Sequence, residues 1–192
     1  FEGRAQRSGS SAYGLFASLV SELLAHLGES GVPARTVVEL SSRLGPLQGR
    51  QCATSLSPEE RRLDLCDAVA ELFALAASSH PLFLFSDADA ADRASLELLR
   101  YLAATVLAPG ARSGGLFVIS YRDDAPLPEP LRELATRTPA LGLPLSGLDL
   151  EGIRSFLSRR EIAERLLEAT GGIPTALEAV VAAPGRPADL FQ

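Results

Sequence analysis

The sequence predicts an α/β fold, a parallel sheet between helices, followed by a small helical appendage. Two short apolar runs, LFLF at 82–85 and GLFVISYR at 115–122, read as strands. Amphipathic helical spacing stands between and around them, the alternation that builds a parallel sheet covered on both faces. Beyond Leu148 the strand pattern stops and only helical spacing remains.

FEGRA at 1–5 is a candidate strand end. Tyr13, Phe16, Leu19, Val20, Leu23, Leu24 and Leu27 then recur at helical spacing, with Ser10 or Ser11 in the N-cap place and Gly28 as the stop. Residues 29–56 are rich in Ser, Gly and Pro and read as a connection with a short helix at 34–43. Ser57 caps the next helix; Pro58 fits its first turn, and Glu59 and Glu60 suit the positive end of its dipole. Leu65, Cys66, Val69, Leu72 and Phe73 form its apolar face, which runs to about Ser78.

The strand at 82–85 ends in Ser86-Asp87-Ala88-Asp89, and a helix is expected from Asp92 to about Leu107. Its stripe of Leu96, Leu99, Leu102 and Val106 is core. After Pro109-Gly110 comes the strand at 115–122, and LGLPL at 141–145 is a weaker third. LDLEGIRSFL and EIAERLLEAT read as two helices, Gly171-Gly172 closes the second, and Ile173-Pro174 opens a third. Ligands of open parallel sheets sit at the carboxyl ends of the strands. Ser86-Asp87 and Tyr121-Arg122 fall at such ends.

At 192 residues, 46% hydrophobic and 22% charged, the chain can bury a core. A net charge of −6 offers no basic stripe for a nucleic-acid groove. No apolar run approaches the roughly 20 residues of a bilayer span, so a cytoplasmic protein is expected. His26, His80, Cys52 and Cys66 lie at no metal-ligand spacing, and reduced thiols are the expectation. Every one of the 18 cationic side chains is Arg, a bias that points to a GC-rich bacterial genome. The chain opens on Phe1 and contains no Met, so it is expected to be part of a longer protein.

The order of these pieces resembles the AAA-type ATPase module of the STAND class of signalling NTPases, found in bacterial LuxR-type regulators, cyclases and Ser/Thr kinases. FEGRAQRSGSSAYGLFASLV is similar to the family's second strand and helix, and LFLFSDADAADRASLELLRYL to its Walker B segment. GLFVISYRDD resembles the sensor strand, LPLSGLDLEGIRSFL the entry to the lid, and TGGIPTALEAVV the Gly-x-Pro lid motif. The resemblance implies a P-loop-NTPase-like core over 1–147, a helical lid over 148–183 and a tail or linker over 184–192. It implies ATP or ADP with Mg as ligand, neighbouring domains in the same chain, and a protein partner or self-assembly. No direct contact with nucleic acid or membrane is expected of this segment.

The resemblance also assigns residues. Asp87 is the Walker-B-like acid and Arg122 the sensor-like arginine. Ser86 and Asp87 would meet Mg through water, and Gly172 and Pro174 would lean the lid on the nucleotide. Departures from the family pattern stand against this. The leading strand and P-loop would have to precede Phe1, and with no Lys in the sequence no phosphate-cradling lysine is present. Ser86 stands where the family has a second acid and brings no charge to a metal. Ala90 stands where the family often has Trp. Hydrolysis is therefore expected to be slow or absent, and a degenerate pseudo-ATPase scaffold is the rival expectation. The join between Arg160 and Glu161 is shorter than in the family.

Plainer readings accompany each assignment. Asp87 and Asp89 could be solvated acids of a strand-to-helix turn, with Asp89 expected in solvent and Asp92 expected as the helix cap. Arg122 could pair with Asp123 or Asp124 on a surface loop. Gly172 and Pro174 could simply end one helix and start the next, and Arg159-Arg160 could be a solvated face.

Overall fold

The computed structural model describes residues 1–5, 12–28, 31–33, 35–37, 40, 57–107, 115–124, 126–137, 140–156 and 162–182. The chain divides into two compact units, Phe1–Ala140 and Leu141–Gln192.

The first unit is α/β. Strand β1 (Glu2–Arg4) leads to helix α1 (Gly14–Leu27), helix α2 (Pro58–Ala76), strand β2 (Leu82–Ser86), helix α3 (Arg93–Val106), strand β3 (Leu116–Ile119) and helix α4 (Glu129–Arg137). The strands form one parallel sheet in the order β1-β2-β3. Glu2 pairs with Leu84 and Leu84 with Val118, so the three carboxyl ends come level at one edge.

Aromatic packing joins helix to sheet. Phe73 of α2 stacks on Phe83 of β2 with ring centroids 4.4 Å apart, and Phe117 of β3 meets Phe83 edge-on at 5.3 Å. Phe16 of α1 packs on Phe85 at 5.5 Å. Gly3 permits the close approach of β1 to α1, because a Cβ there would stand 2.1 Å from the Leu15 carbonyl oxygen. Leu96, Leu99, Leu102 and Val106 of α3 are buried in the same core, as their spacing requires.

The opposite face of the sheet is different. Leu82, Leu116 and Val118 point there and are exposed at 52%, 61% and 39%. Among the described residues, helices cover one face of the sheet rather than the expected two. Side-chain alternation marks both sets of residues as strand, but it does not say whether a second layer is at hand.

Helix starts follow local chemistry. Ser57 and Glu60 form a reciprocal capping box at α2: the Glu60 amide donates to Ser57 Oγ at 3.2 Å and the Ser57 amide to Glu60 Oε2 at 2.7 Å. The expected α1 cap, Ser10 or Ser11, lies outside the described residues. Tyr13, in left-handed conformation at φ 64°, holds the N-cap place and brings no side-chain cap. Of the short helix expected at 34–43, residues 35–37 are helical, and much of the remainder lies outside the described residues. Helix α4 has no counterpart in the sequence expectation; its buried residues Leu131 and Leu134 are too few to register as a period.

The second unit contains helices α5 (Leu150–Phe156), α6 (Ala163–Thr170) and α7 (Pro174–Ala182). Ile153, Ala163, Leu166 and Leu177 form its core. No strand forms at 141–145, where Leu141, Leu143 and Leu145 are exposed at 83%, 72% and 95%. Pro144 lacks a backbone N–H, and the segment pairs with no strand among the described residues. Arg159, Arg160, Glu161 and the tail 184–192 lie outside the described residues.

Candidate functional site

The carboxyl edge of the sheet is a polar rim built from all three strands. Arg4 ends β1, Ser86 ends β2 with Asp87 next, and Ser120 through Arg122 follow β3. Main-chain hydrogen bonds level these ends: Ala5 N donates to Ser86 O at 3.0 Å, and Ala88 N to Ser120 O at 2.9 Å. Asp87 turns the chain in left-handed conformation at φ 57°, an uncommon state for a residue with a Cβ, though Asp tolerates it better than most. Its amide donates to Ser120 Oγ at 3.3 Å.

Asp87 and Arg122 thus follow adjacent parallel strands at one edge, but their charged groups are held by other partners. The Asp87 carboxylate lies 3.7 Å from Arg4 Nε. Arg122 lies 3.6 Å from Asp89 through Nε and 3.2 Å from Asp124 through Nη2. Asp89 is not in free solvent: its side chain is only 16% exposed, and it also accepts the Arg122 amide at 3.2 Å. That pairing joins residues 33 positions apart, which local sequence does not reveal.

Ser86 is buried, and its hydroxyl donates to Glu2 Oε1 at 2.9 Å. Arg4 Nη2 lies 3.8 Å from the same Glu2 oxygen. Glu2 of β1 therefore brings a carboxylate beside Ser86, a role the sequence reading missed. Parallel pairing of β1 with β2 and side-chain alternation are the signals that could have found it. Glu2, Ser86 and Asp87 bring oxygen atoms to the rim, and the Arg4 guanidinium stands beside both carboxylates. The described rim lacks the glycine amides and lysine that cradle a triphosphate. No group of three or more His, Cys, Asp or Glu suited to a metal occurs among the described residues.

Asp92 is the helix cap the sequence predicts, and more. Its carboxylate accepts Ser95 N at 2.9 Å and Ser95 Oγ at 2.6 Å, capping α3. It also accepts the amides of Tyr13 and Gly14, each at 3.2 Å, at the start of α1. Ser95 Oγ takes the Leu15 amide at 3.3 Å. Burial works to raise the Asp92 pKa, but the bonds from Ser95, Tyr13 and Gly14 outweigh it and hold the carboxyl below the usual carboxylate range.

Gly172 and Pro174 belong to the second unit. Gly171, left-handed at φ 60°, caps α6, and Gly172 follows at φ 75°. A Cβ on Gly172 would stand 2.1 Å from the Leu148 carbonyl oxygen, while Leu148 N donates to Gly172 O at 2.8 Å. Glycine at 172 is thus required by packing against Leu148. Pro174 is the first residue of α7 and exposed.

A groove of about 350 Å³ lies elsewhere, among α2, α3 and α4, with Arg62, Cys66, Glu97, Tyr101 and Glu133 in its wall. Ser86, Asp87 and Arg122 do not line it. Burial pushes the Cys66 thiol up, which favours its protonated form. No helix among the described residues is long and apolar enough to cross a membrane. Comparison of the chain with protein-family models, with curated proteins and with solved structures gives no match.

Proposed function

We propose that this chain is the core and lid of a nucleotide-dependent signalling switch of the AAA/STAND kind, with slow or absent hydrolysis. The observation that carries the reading is the polar rim, where Asp87 and Arg122 follow adjacent parallel strands at the sheet's carboxyl edge. Asp87, with Ser86 and Glu2 beside it, holds the water shell of Mg, and Arg122 meets the terminal phosphate of ATP. Gly172 and Pro174 set the lid helices that report occupancy to neighbouring domains and to a protein partner or a second copy, in the cytoplasm.

The uncovered sheet supports a larger assembly. Among the described residues β3 stands at the end of the strand order, and no described strand pairs with its outer edge, where the P-loop strand that the resemblance implies could add. Leu82, Leu116 and Val118 give an accompanying helix an apolar face to bury. Ser86 in place of a second acid weakens the metal site, and binding without preferential stabilisation of a transition state gives little turnover.

The rival reading, a degenerate pseudo-ATPase serving as an interaction scaffold, has its own support. The rim's polar groups are satisfied within the chain: Ser86 by Glu2, Asp87 by Arg4, and Arg122 by Asp89 and Asp124. Calorimetric titration of Mg-ATP into the full natural protein separates the two. The switch predicts binding that Asp87→Asn and Arg122→Gln each weaken several-fold. Absence of binding refutes the switch and leaves the scaffold.

A further inference from the structure

The geometry points to Asp89 as the positioning residue of Arg122: it seats the arginine's backbone and holds its guanidinium until a phosphate competes for it. This rests on the switch reading above, in which Arg122 is the phosphate contact.

One carboxylate grips one residue at two places. Oδ1 accepts the Arg122 amide at 3.2 Å, and Oδ2 lies 3.6 Å from Arg122 Nε. The two partners differ in freedom. The Asp89 side chain is 16% exposed and the Arg122 side chain 51%, so the acid is the fixed member and the guanidinium the movable one. Asp89 sits in the short turn Ala88–Ala90, which is pinned by Ala88 N to Ser120 O at 2.9 Å and Ala90 N to Asp87 O at 2.9 Å. Asp124 also meets the guanidinium, at 3.2 Å, but it is 59% exposed and follows Arg122 in the same segment. It moves with the arginine, whereas Asp89 belongs to the turn after β2.

A phosphate arriving at the rim therefore contends with a carboxylate that is already in place. The guanidinium carries five N–H donors in a fixed fork, so it can exchange one oxyanion for another without changing its own charge. The contest sets a threshold: only a ligand that offers Arg122 more than Asp89 does draws it away. The contact is partly solvated, and pairs of that kind alter an equilibrium by about two- to fivefold.

The test uses Asp89→Asn, which keeps an oxygen for the Arg122 amide and removes the charge. In unliganded protein, the NMR signal of Arg122 Nε–H should show faster motion and faster exchange with water in Asp89→Asn, and a smaller change in Asp124→Asn. The Arg122 backbone amide should stay where it is in Asp89→Asn, reporting an intact turn. Mg-ATP should then bind Asp89→Asn about two- to fivefold more tightly than the parent protein. Arg122→Gln, combined with Asp89→Asn, should remove that gain. An unaltered Nε–H signal in Asp89→Asn overturns the inference. So does equal tightening by Asp89→Asn and Asp124→Asn, which would be an effect of net charge alone. A released Nε–H with no Mg-ATP binding in any variant supports the tether and overturns the switch reading instead.

Discussion

Asp92 does more structural work than its place in the sequence announces. As a helix cap it was legible, because an Asp before an amphipathic run is the usual signal. Its bonds to Tyr13 and Gly14, 79 and 78 positions away, were not legible, since they exist only once α1 and α3 are packed. The same carboxylate serves two helix starts, one of which has no cap of its own. Asp92→Ala should therefore cost about 2–3 kcal/mol, more than a single cap, in urea denaturation. Its pH behaviour follows from a folded pKa held below the unfolded value of about 3.9. The stabilisation is present above that value and lost as pH falls through it toward the lower folded pKa. The parent protein should lose more stability than Asp92→Ala between about pH 7 and about pH 3; equal losses would contradict this. Asp89 carries the opposite lesson. Sequence put it in solvent because its partner, Arg122, belongs to another strand's end.

Elements were legible where local chemistry decides them. Ser57, Pro58 and Glu60 specify the start of α2 without help from the rest of the fold, and the capping box is formed. Ser57→Ala should cost about 1 kcal/mol, read as a shift of the denaturation midpoint with unchanged slope. Elements that depend on a neighbour were less legible. Alternating Leu141, Leu143 and Leu145 look like a strand, yet a strand needs a partner and none pairs with them among the described residues. Helix α4 was invisible for the reverse reason: Leu131 and Leu134 gain their meaning from packing on α3. Gly3 in β1 is also a matter of packing. Gly3→Ala places a methyl group against the Leu15 carbonyl and must push α1 off β1. A loss of about 2 kcal/mol or more is expected in the same assay, and an unchanged midpoint would show that the two elements separate freely.

At the scale of the molecule, the α/β class and the parallel sheet were legible in the sequence, but the sheet's uneven cover was not. One face is closed by Phe16 and Phe73 with their helices, and the other leaves Leu82, Leu116 and Val118 exposed. Apolar residues facing both ways predict two layers, and among the described residues only one layer forms. In the 192-residue chain by itself, a hydrophobic dye should bind this face, and Leu82→Glu with Leu116→Glu should abolish most of its fluorescence; an undiminished signal would locate the dye elsewhere. The candidate site divides in the same way. The positions of Asp87 and Arg122 after strands were legible because strand ends are, whereas Glu2 and Arg4 enter through the pairing of β1 with β2.

The most direct test of the nucleotide-rim account is an NMR titration of Mg-ATP into the full natural protein, followed at the backbone amides of Asp87, Ala88 and Arg122. The account predicts that these three move together and saturate at a common ligand concentration. Saturable shifts confined to the groove among α2, α3 and α4, or no shifts at the rim, would contradict it.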